Sequence, residues 1–332
     1  MKTANEMPLY NAEKFMRKSY EVLEAKVMYA GIELGVFNHL RKPTRADELA
    51  VTLECDKRNL ELLLNALTSI GFLKKEDDFF SNLNETDYYL NSDSDMYLGD
   101  HILYWRDMTS LDGITGLVRN GAPKGHFEDE NGSDFFDFRA MGQGARNTMY
   151  LGRVQKFIQL VKGYFKPNQA FDVFDMGGGS GILSIEIARN FENASCVVFD
   201  QKRVIELTDE IIDSYEMQDR VKTLSGNFVE DDFTRQYDFI IASGVLDFVG
   251  DLDVMAEKLH KTLKSGGYLY VNTHGINKVF TAPSRYILGW LSSHLNGLDI
   301  LKPDELIKES LIKAGFEIID DSDGTNCIVR KR

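Results

Sequence analysis

Cysteine is scarce in these 332 residues: Cys55, Cys196 and Cys327 lie far apart and no Cys-x-x-Cys pair occurs. So sparse and odd a set argues against a disulfide framework and a structural zinc site, and a reducing, cytoplasmic setting is expected. Cations are also short. Lys and Arg number 38 against 52 Asp and Glu, a formal charge of −14 and a pI near 5.0. A surface of that sign repels phosphate backbones, so broad nucleic-acid or anionic-membrane binding is not expected. No apolar run is long enough to span a bilayer, and the polar start MKTANEMPLYNAEKF lacks the apolar core of a signal peptide. No His/Asp/Glu cluster has metal-ligand spacing, so no metal is expected. What is present is 43% hydrophobic residues, enough for a sizeable core in one large domain or two ordinary ones.

The first half reads as helical. Leu23, Val27, Ala30 and Leu34 fall on one stripe of a helix that Gly35 interrupts. Thr44 and Asp47 have capping-box spacing before a short helix, Arg45–Leu53. A third helix, about Lys57 to Ile70, carries Leu60, Leu63, Leu67 and Ile70 on its buried stripe, and 72–81 reads as a β-hairpin. Helix, helix, helix, hairpin is the winged-helix order. The third helix is rich in leucine and poor in cations, which favours a protein–protein platform over DNA binding. We divide the chain into 1–100, a helical linker at 101–165 and a third segment, 166–332.

From 171 onward strands and helices alternate, the pattern of a doubly wound α/β sheet. Its first strand, Phe171–Met176, runs into Gly177-Gly178-Gly179-Ser180-Gly181. In such sheets ligands bind at the carboxyl ends of the strands where their order reverses, and glycines let backbone approach the ligand. Asp200 ends the second strand, placed to bind both ribose hydroxyls of an adenosine-bearing cofactor. The sixth position of a dinucleotide fingerprint beginning at Gly177 is Ile182, not a small residue, and no lysine follows the glycines as in a phosphate loop. A tight turn preceded by an acid, Asp175, suits a cofactor with an amino-acid end and no pyrophosphate. S-adenosylmethionine is that cofactor, with Asp175 helping to hold its ammonium and Gly177, Gly179 and Gly181 along its backbone-facing side. Ser243, at the end of the fourth strand, borders the same crevice.

With the segments Ala30-Gly31-Ile32-Glu33-Leu34-Gly35-Val36-Phe37, Phe174 to Gly181, Gly226-Asn227-Phe228, Ser265-Gly266-Gly267 and Ala314-Gly315-Phe316 in this order, the chain resembles the dimeric small-molecule O-methyltransferases, which include hydroxyindole, caffeic-acid and bacterial polyketide or pigment enzymes. The resemblance implies a Rossmann-like seven-stranded catalytic domain behind a winged-helix dimerisation domain, and a homodimer acting on a small molecule. It implies that Gln201 and Phe228 flank adenine, with Asn227 where the family has an aspartate. One departure bears on mechanism. In the plant-type enzymes a Leu-His-Asp-Trp stretch supplies a catalytic histidine; here the stretch is Val245-Leu246-Asp247-Phe248-Val249, so Asp247 stands in the histidine's place. The two family glutamates that orient the histidine fall at Thr273, beside His274, and near Asp299. The family's phenol-deprotonating base therefore does not carry over.

Three acid–base candidates follow: Asp247, His274 and Asp299. Asp247 also reads as a plain cap for the helix near Asp251, and His274 as a loop residue. The aromatic stretch from Phe135 through Phe138 to Met141, with Tyr150, Trp290 and His294, suits an apolar, ring-containing acceptor and equally suits core packing. Two further readings stay open: a methyltransferase-fold enzyme that uses the cofactor for hydroxylation or decarboxylation, and a winged-helix regulator that senses a ligand.

Overall fold

The computed structural model describes residues 10–123, 136–321 and 324–332, and divides into two compact units, 1–103 and 104–332. Phe135 lies outside the described residues. The helices between 104 and 165, read from sequence as a linker, belong to the second unit.

The first unit runs α1 (Glu13–Glu33), α2 (Val36–His39), β1 (Thr44–Arg45), α3 (Ala46–Thr52), α4 (Lys57–Ser69), β2 (Leu73–Glu76), β3 (Phe79–Asn82) and α5 (Asn84–Leu90). Its three strands pair in the order β1-β3-β2, which completes the winged-helix arrangement. Phe37, Leu49, Leu64, Leu67 and Phe80 are fully buried at its centre, each such side chain contributing roughly 1.5–3 kcal/mol. Two readings are corrected. The capping box is not formed, because Thr44 is spent on β1 and its hydroxyl donates to the Lys42 carbonyl at 3.0 Å. The stripe of α1 is covered only in part: Val27 and Ala30 are half-buried, whereas Leu23 and Leu34 are exposed beside Phe15, Met16, Tyr20 and Val22. An apolar helix face left in water marks an interaction surface.

α6 (Gly99–Met108) crosses the division. The second unit continues with α7 (Ile114–Asn120), α8 (Phe138–Thr148), α9 (Arg153–Val161), β4 (Phe171–Met176), α10 (Ile182–Asn190), β5 (Ala194–Asp200), α11 (Lys202–Ser214), β6 (Val221–Ser225) and β7 (Tyr237–Ser243). After these come α12 (Leu252–Thr262), β8 (Leu263–Asn272), α13 (Ser284–Gly289), α14 (Leu291–Leu295), α15 (Asp304–Lys313), β9 (Phe316–Asp320) and β10 (Asn326–Lys331). Seven strands form one sheet in the order β6-β5-β4-β7-β8-β10-β9, parallel through β8, with β10 antiparallel to both neighbours.

Successive strand residues face opposite sides. Val173, Val198, Ile241 and Tyr270 therefore pack on α9, α10 and α11, while Phe174, Phe199, Ile240 and Leu269 pack on α12 and α15. Both faces are covered, which is why the central strands are nearly continuous apolar runs. β4 pairs with β5 on one side and β7 on the other, so the strand order reverses at its carboxyl end. Among the described residues no helix is long and apolar enough to cross a membrane.

Candidate active site at the switch point

Gly177, Gly179 and Gly181 all adopt left-handed backbone, with φ of 65°, 56° and 69°, a region that β-carbons disfavour. Space excludes side chains as well. A Cβ on Gly177 would meet Val245 Cγ2 at 2.5 Å, and one on Gly178 would meet Val198 Cγ1 at 2.7 Å and Asp175 Cγ at 2.8 Å. At Gly179 a Cβ would meet nothing within 4 Å, so this face of the turn is open. Asp200 braces it: Oδ2 accepts the Gly179 N–H at 2.9 Å and Oδ1 the Gln201 N–H at 2.8 Å. Asp175 lies beneath the turn, 1% exposed, and Oδ2 accepts the Ser184 hydroxyl at 2.8 Å. Its Oδ1 is buried with no hydrogen-bond partner among the described residues.

Burial raises both carboxyl groups, Asp175 to about 7 and Asp200 to about 6. The Ser184 hydroxyl and the Arg153 charge pull against this at Asp175, and the two amide donors pull against it at Asp200. The sign is that of a neutral acid favoured by the fold. The stabilisation is fully present below the ordinary carboxylate value of 3.8 and is lost as pH rises through 6 to 7. A cationic ligand above these groups favours their ionised forms, so binding S-adenosylmethionine near pH 6.5 should release protons. Titration calorimetry in two buffers of different ionisation enthalpy reads that release; identical heats in both would refute the coupling.

Sequence reasoning missed Arg153. From the start of α9 its Nη2 donates to Ser243 Oγ at 2.5 Å and to Asn272 Oδ1, so the guanidinium spans the carboxyl ends of β7 and β8. Its Nε is buried without a hydrogen-bond partner among the described residues. A signal was available: a cation on the first turn of a helix opposes the helix dipole, so another demand must hold it there. An open glycine turn, a braced acid at the second strand end and a fixed guanidinium two strands away fit a ligand with ribose at one end and a carboxylate at the other.

Beyond Asp200, Gln201 occupies the N-cap position of α11 without a side-chain cap bond, and Phe228 belongs to the buried cluster that includes Phe174 and Phe199. Asn227 Oδ1 accepts the Val229 N–H at 2.9 Å, which turns the chain just after β6.

On the other side of the turn, His274 Nδ1 lies 2.8 Å from Asp247 Oδ2, a bond between residues just past the ends of β8 and β7. Asp247 is 1% exposed and His274's side chain 13%. Lys302 clamps the acid, its N–H donating to Asp247 Oδ1 and its ammonium to the Asp247 carbonyl, both at 3.1 Å. The imidazole stands edge-on to Tyr286 and Trp290, with centroids 4.7 and 5.7 Å away. Trp290 belongs to an aromatic cluster with Phe136, Phe138 and Phe248, joined by Met141 and Ile276. α8 carries Phe138 and Met141 up to the glycine turn, where a Cβ on Gly142 would sit 3.7 Å from Ser180 N.

Three expected residues, Asp299, Tyr150 and His294, do not join this cluster. Asp299 is 90% exposed and bonds His294 Nδ1 at 3.1 Å, while Asp247 already occupies His274 Nδ1; Asp299 is therefore not the acid of this dyad. Tyr150 donates to Glu186 Oε1 at 2.9 Å and packs against the core on α9 and α10. Burial and that carboxylate hold its hydroxyl proton firmly. His294 sits one turn beyond Trp290 with its ring facing Phe280.

Fold and site together define an α/β protein of the methyltransferase type. A family model described as a methyltransferase domain matches residues 147–320, and an O-methyltransferase dimerisation domain matches 19–100. The chain belongs to the methyltransferase family. It is 26% identical over 75% of its length to 3-hydroxy-5-methyl-1-naphthoate 3-O-methyltransferase of Streptomyces sahachiroi, covering 73% of that protein. An O-methyltransferase family protein from Burkholderia thailandensis superposes with a TM-score of 0.81 at 18% identity over 98% of this chain and 99% of that one. Human N-acetylserotonin methyltransferase, solved with S-adenosylmethionine, gives 0.74 at 19% over 98% and 99%; both likenesses show the fold. The cofactor read from the glycine turn and its acids, S-adenosylmethionine, is the one this family uses.

Proposed function

We propose that this chain methylates a hydroxyl group on a small aromatic molecule, with His274 as the general base and Asp247 as its orienting acid. The bond from His274 Nδ1 to buried Asp247, beside an aromatic cluster, carries the reading. A carboxylate on Nδ1 fixes the proton there and leaves Nε2 as a proton acceptor. The imidazole that the plant-type enzymes place after the fourth strand thus comes here from the end of the fifth, and the acid stands where their imidazole stands.

When bound, S-adenosylmethionine supplies a methyl group on a sulfonium whose carbon–sulfur bond breaks with its electrons returning to sulfur. The protein's share is placement and proton transfer. Phe138, Met141, Phe248 and Trp290 hold a ring against the glycine turn, and orientation of this kind is worth up to about 7–11 kcal/mol. His274 Nε2 takes the hydroxyl proton as the oxygen forms its bond to carbon. Arg153 binds the methionine carboxylate and Asp200 the ribose. Gln201 and Phe228 hold adenine between them, and Asn227 bonds its edge. The exposed face of α1, most of which lies in the dimerisation domain, closes a homodimer, and three free thiols suit a cytoplasmic enzyme.

The test incubates purified protein with S-adenosylmethionine and panels of phenols, thiols and amines, following S-adenosylhomocysteine by mass spectrometry, with sedimentation on the same sample. Turnover with phenols by a dimer is expected. Turnover confined to thiols or amines would sink the hydroxyl assignment, and a monomer would sink the dimer.

A further inference from the structure

The segment that follows β6 is pinned by a partly buried cation. Lys258, on α12, points its ammonium at three backbone carbonyls of one short stretch: Phe228 O at 3.1 Å, Val229 O at 2.9 Å and Asp231 O at 2.8 Å. The three donors of an ammonium are thereby matched by three acceptors. Its charge also stands 5.4 Å from the centre of the Phe233 ring, which packs on Phe174 and Phe199 beneath the same stretch. A second fastening lies at the start of the stretch. Asp231 Oδ2 accepts the Asn227 N–H at 2.8 Å, and a side chain on Gly226 would collide with that carboxylate and with the Phe199 ring. Residues 226–231 thus have one shape, set from below by Lys258 and from within by Asp231.

We propose that Lys258 is the positioning residue for adenine recognition, fixing Asn227 and Phe228 at the height and angle at which a purine is held. It rests on the adenine placement proposed above. Lys258 touches neither purine nor methyl group; it acts through three carbonyls, so its removal changes how well the nucleoside is held and not how fast a held methyl group moves. An arginine presents the same charge as a wide planar fork, which cannot converge on three carbonyls of one turn as an ammonium does.

The test measures binding of S-adenosylhomocysteine and of its inosine analogue, in which the adenine amino group is a carbonyl, by calorimetry. Wild-type protein should prefer the adenine form, and Asn227→Ala should abolish the preference. Lys258→Met should weaken S-adenosylhomocysteine by about tenfold, the scale of one lost charge-assisted contact. It should also narrow the preference and raise the KM for S-adenosylmethionine, while kcat at saturating cofactor stays within about twofold of wild type. Lys258→Arg should fall between the two and serves as the readout if the methionine variant does not fold. An intact preference in Asn227→Ala would overturn the adenine seat and Lys258's role with it. A lost preference there, with full affinity in both Lys258 variants, would overturn the role of Lys258 alone.

Discussion

His274→Asn should lower kcat by about 10²–10⁴ toward a phenol that holds its proton at the working pH, the range that a positioned base supplies. Affinity for S-adenosylhomocysteine should be unchanged, because the imidazole lies on the acceptor side of the glycine turn. Asp247→Asn should do nearly as much harm through a different route. The amide oxygen can still accept the Lys302 N–H, so the amide nitrogen turns toward His274 Nδ1. Nδ1 must then accept, the imidazole proton moves to Nε2, and the base loses its lone pair. An acceptor acidic enough to be ionised already, such as a nitrophenol, discriminates base from scaffold. Both variants should recover most of their activity on it, since no proton remains to be taken. An equal loss on ionised and protonated phenols would show that the dyad only shapes the pocket.

Arg153→Met should weaken S-adenosylmethionine by about 10–100-fold, the loss expected when one charge-assisted hydrogen-bonded pair is removed. Methionine keeps most of the stem that packs at the start of α9 and removes the fork that spans Ser243 and Asn272. 5′-Methylthioadenosine, which has the nucleoside and sulfur but no amino-acid end, separates carboxylate binding from general damage. It should bind the variant and wild type alike. A matching loss for both ligands would mean that Arg153 merely ties β7 to β8.

The sheet was legible from sequence because its strands are covered on both faces. Phe171–Met176 and Tyr237–Ser243 have the bounds their apolar runs suggest. β8 begins at Leu263, whereas the apolar run of the sequence suggests a strand over Gly267–Asn272. The structure absorbs Gly266, at φ 75°, where the pairing with β7 shifts register between Tyr237 and Phe239. The apolar stretch 286–295 reads as one helix but spans two, since Trp290 at ψ 1° does not continue the first.

The glycine turn and Asp200 were readable because they belong to one local unit, strand–turn–helix–strand. The acceptor side was not, because its partners are distant in sequence. Asp247 and His274 stand 27 residues apart and meet because β7 and β8 are neighbours. Sequence placed an orienting acid near Asp299 by correspondence with another protein's glutamate, whereas the carboxylate that bonds His274 is that of Asp247, the residue standing in the family histidine's place. Arg153 lies 90 residues from Ser243 and 119 from Asn272, so no local pattern could pair them.

β10 comes last among the strands yet lies inside the sheet, between β8 and β9. Its first residue, Asn326, accepts from the Asn272 amide at 2.9 Å, and Asn272 is what Arg153 grips. On the ribosome, the glycine turn and its bracing acid emerge long before residue 326. The support behind Asn272, and through it Arg153, is therefore among the last parts of the sheet to be made. A chain cut short before residue 326 would carry the glycine turn with Asn272, the partner of Arg153, deprived of its bond to Asn326.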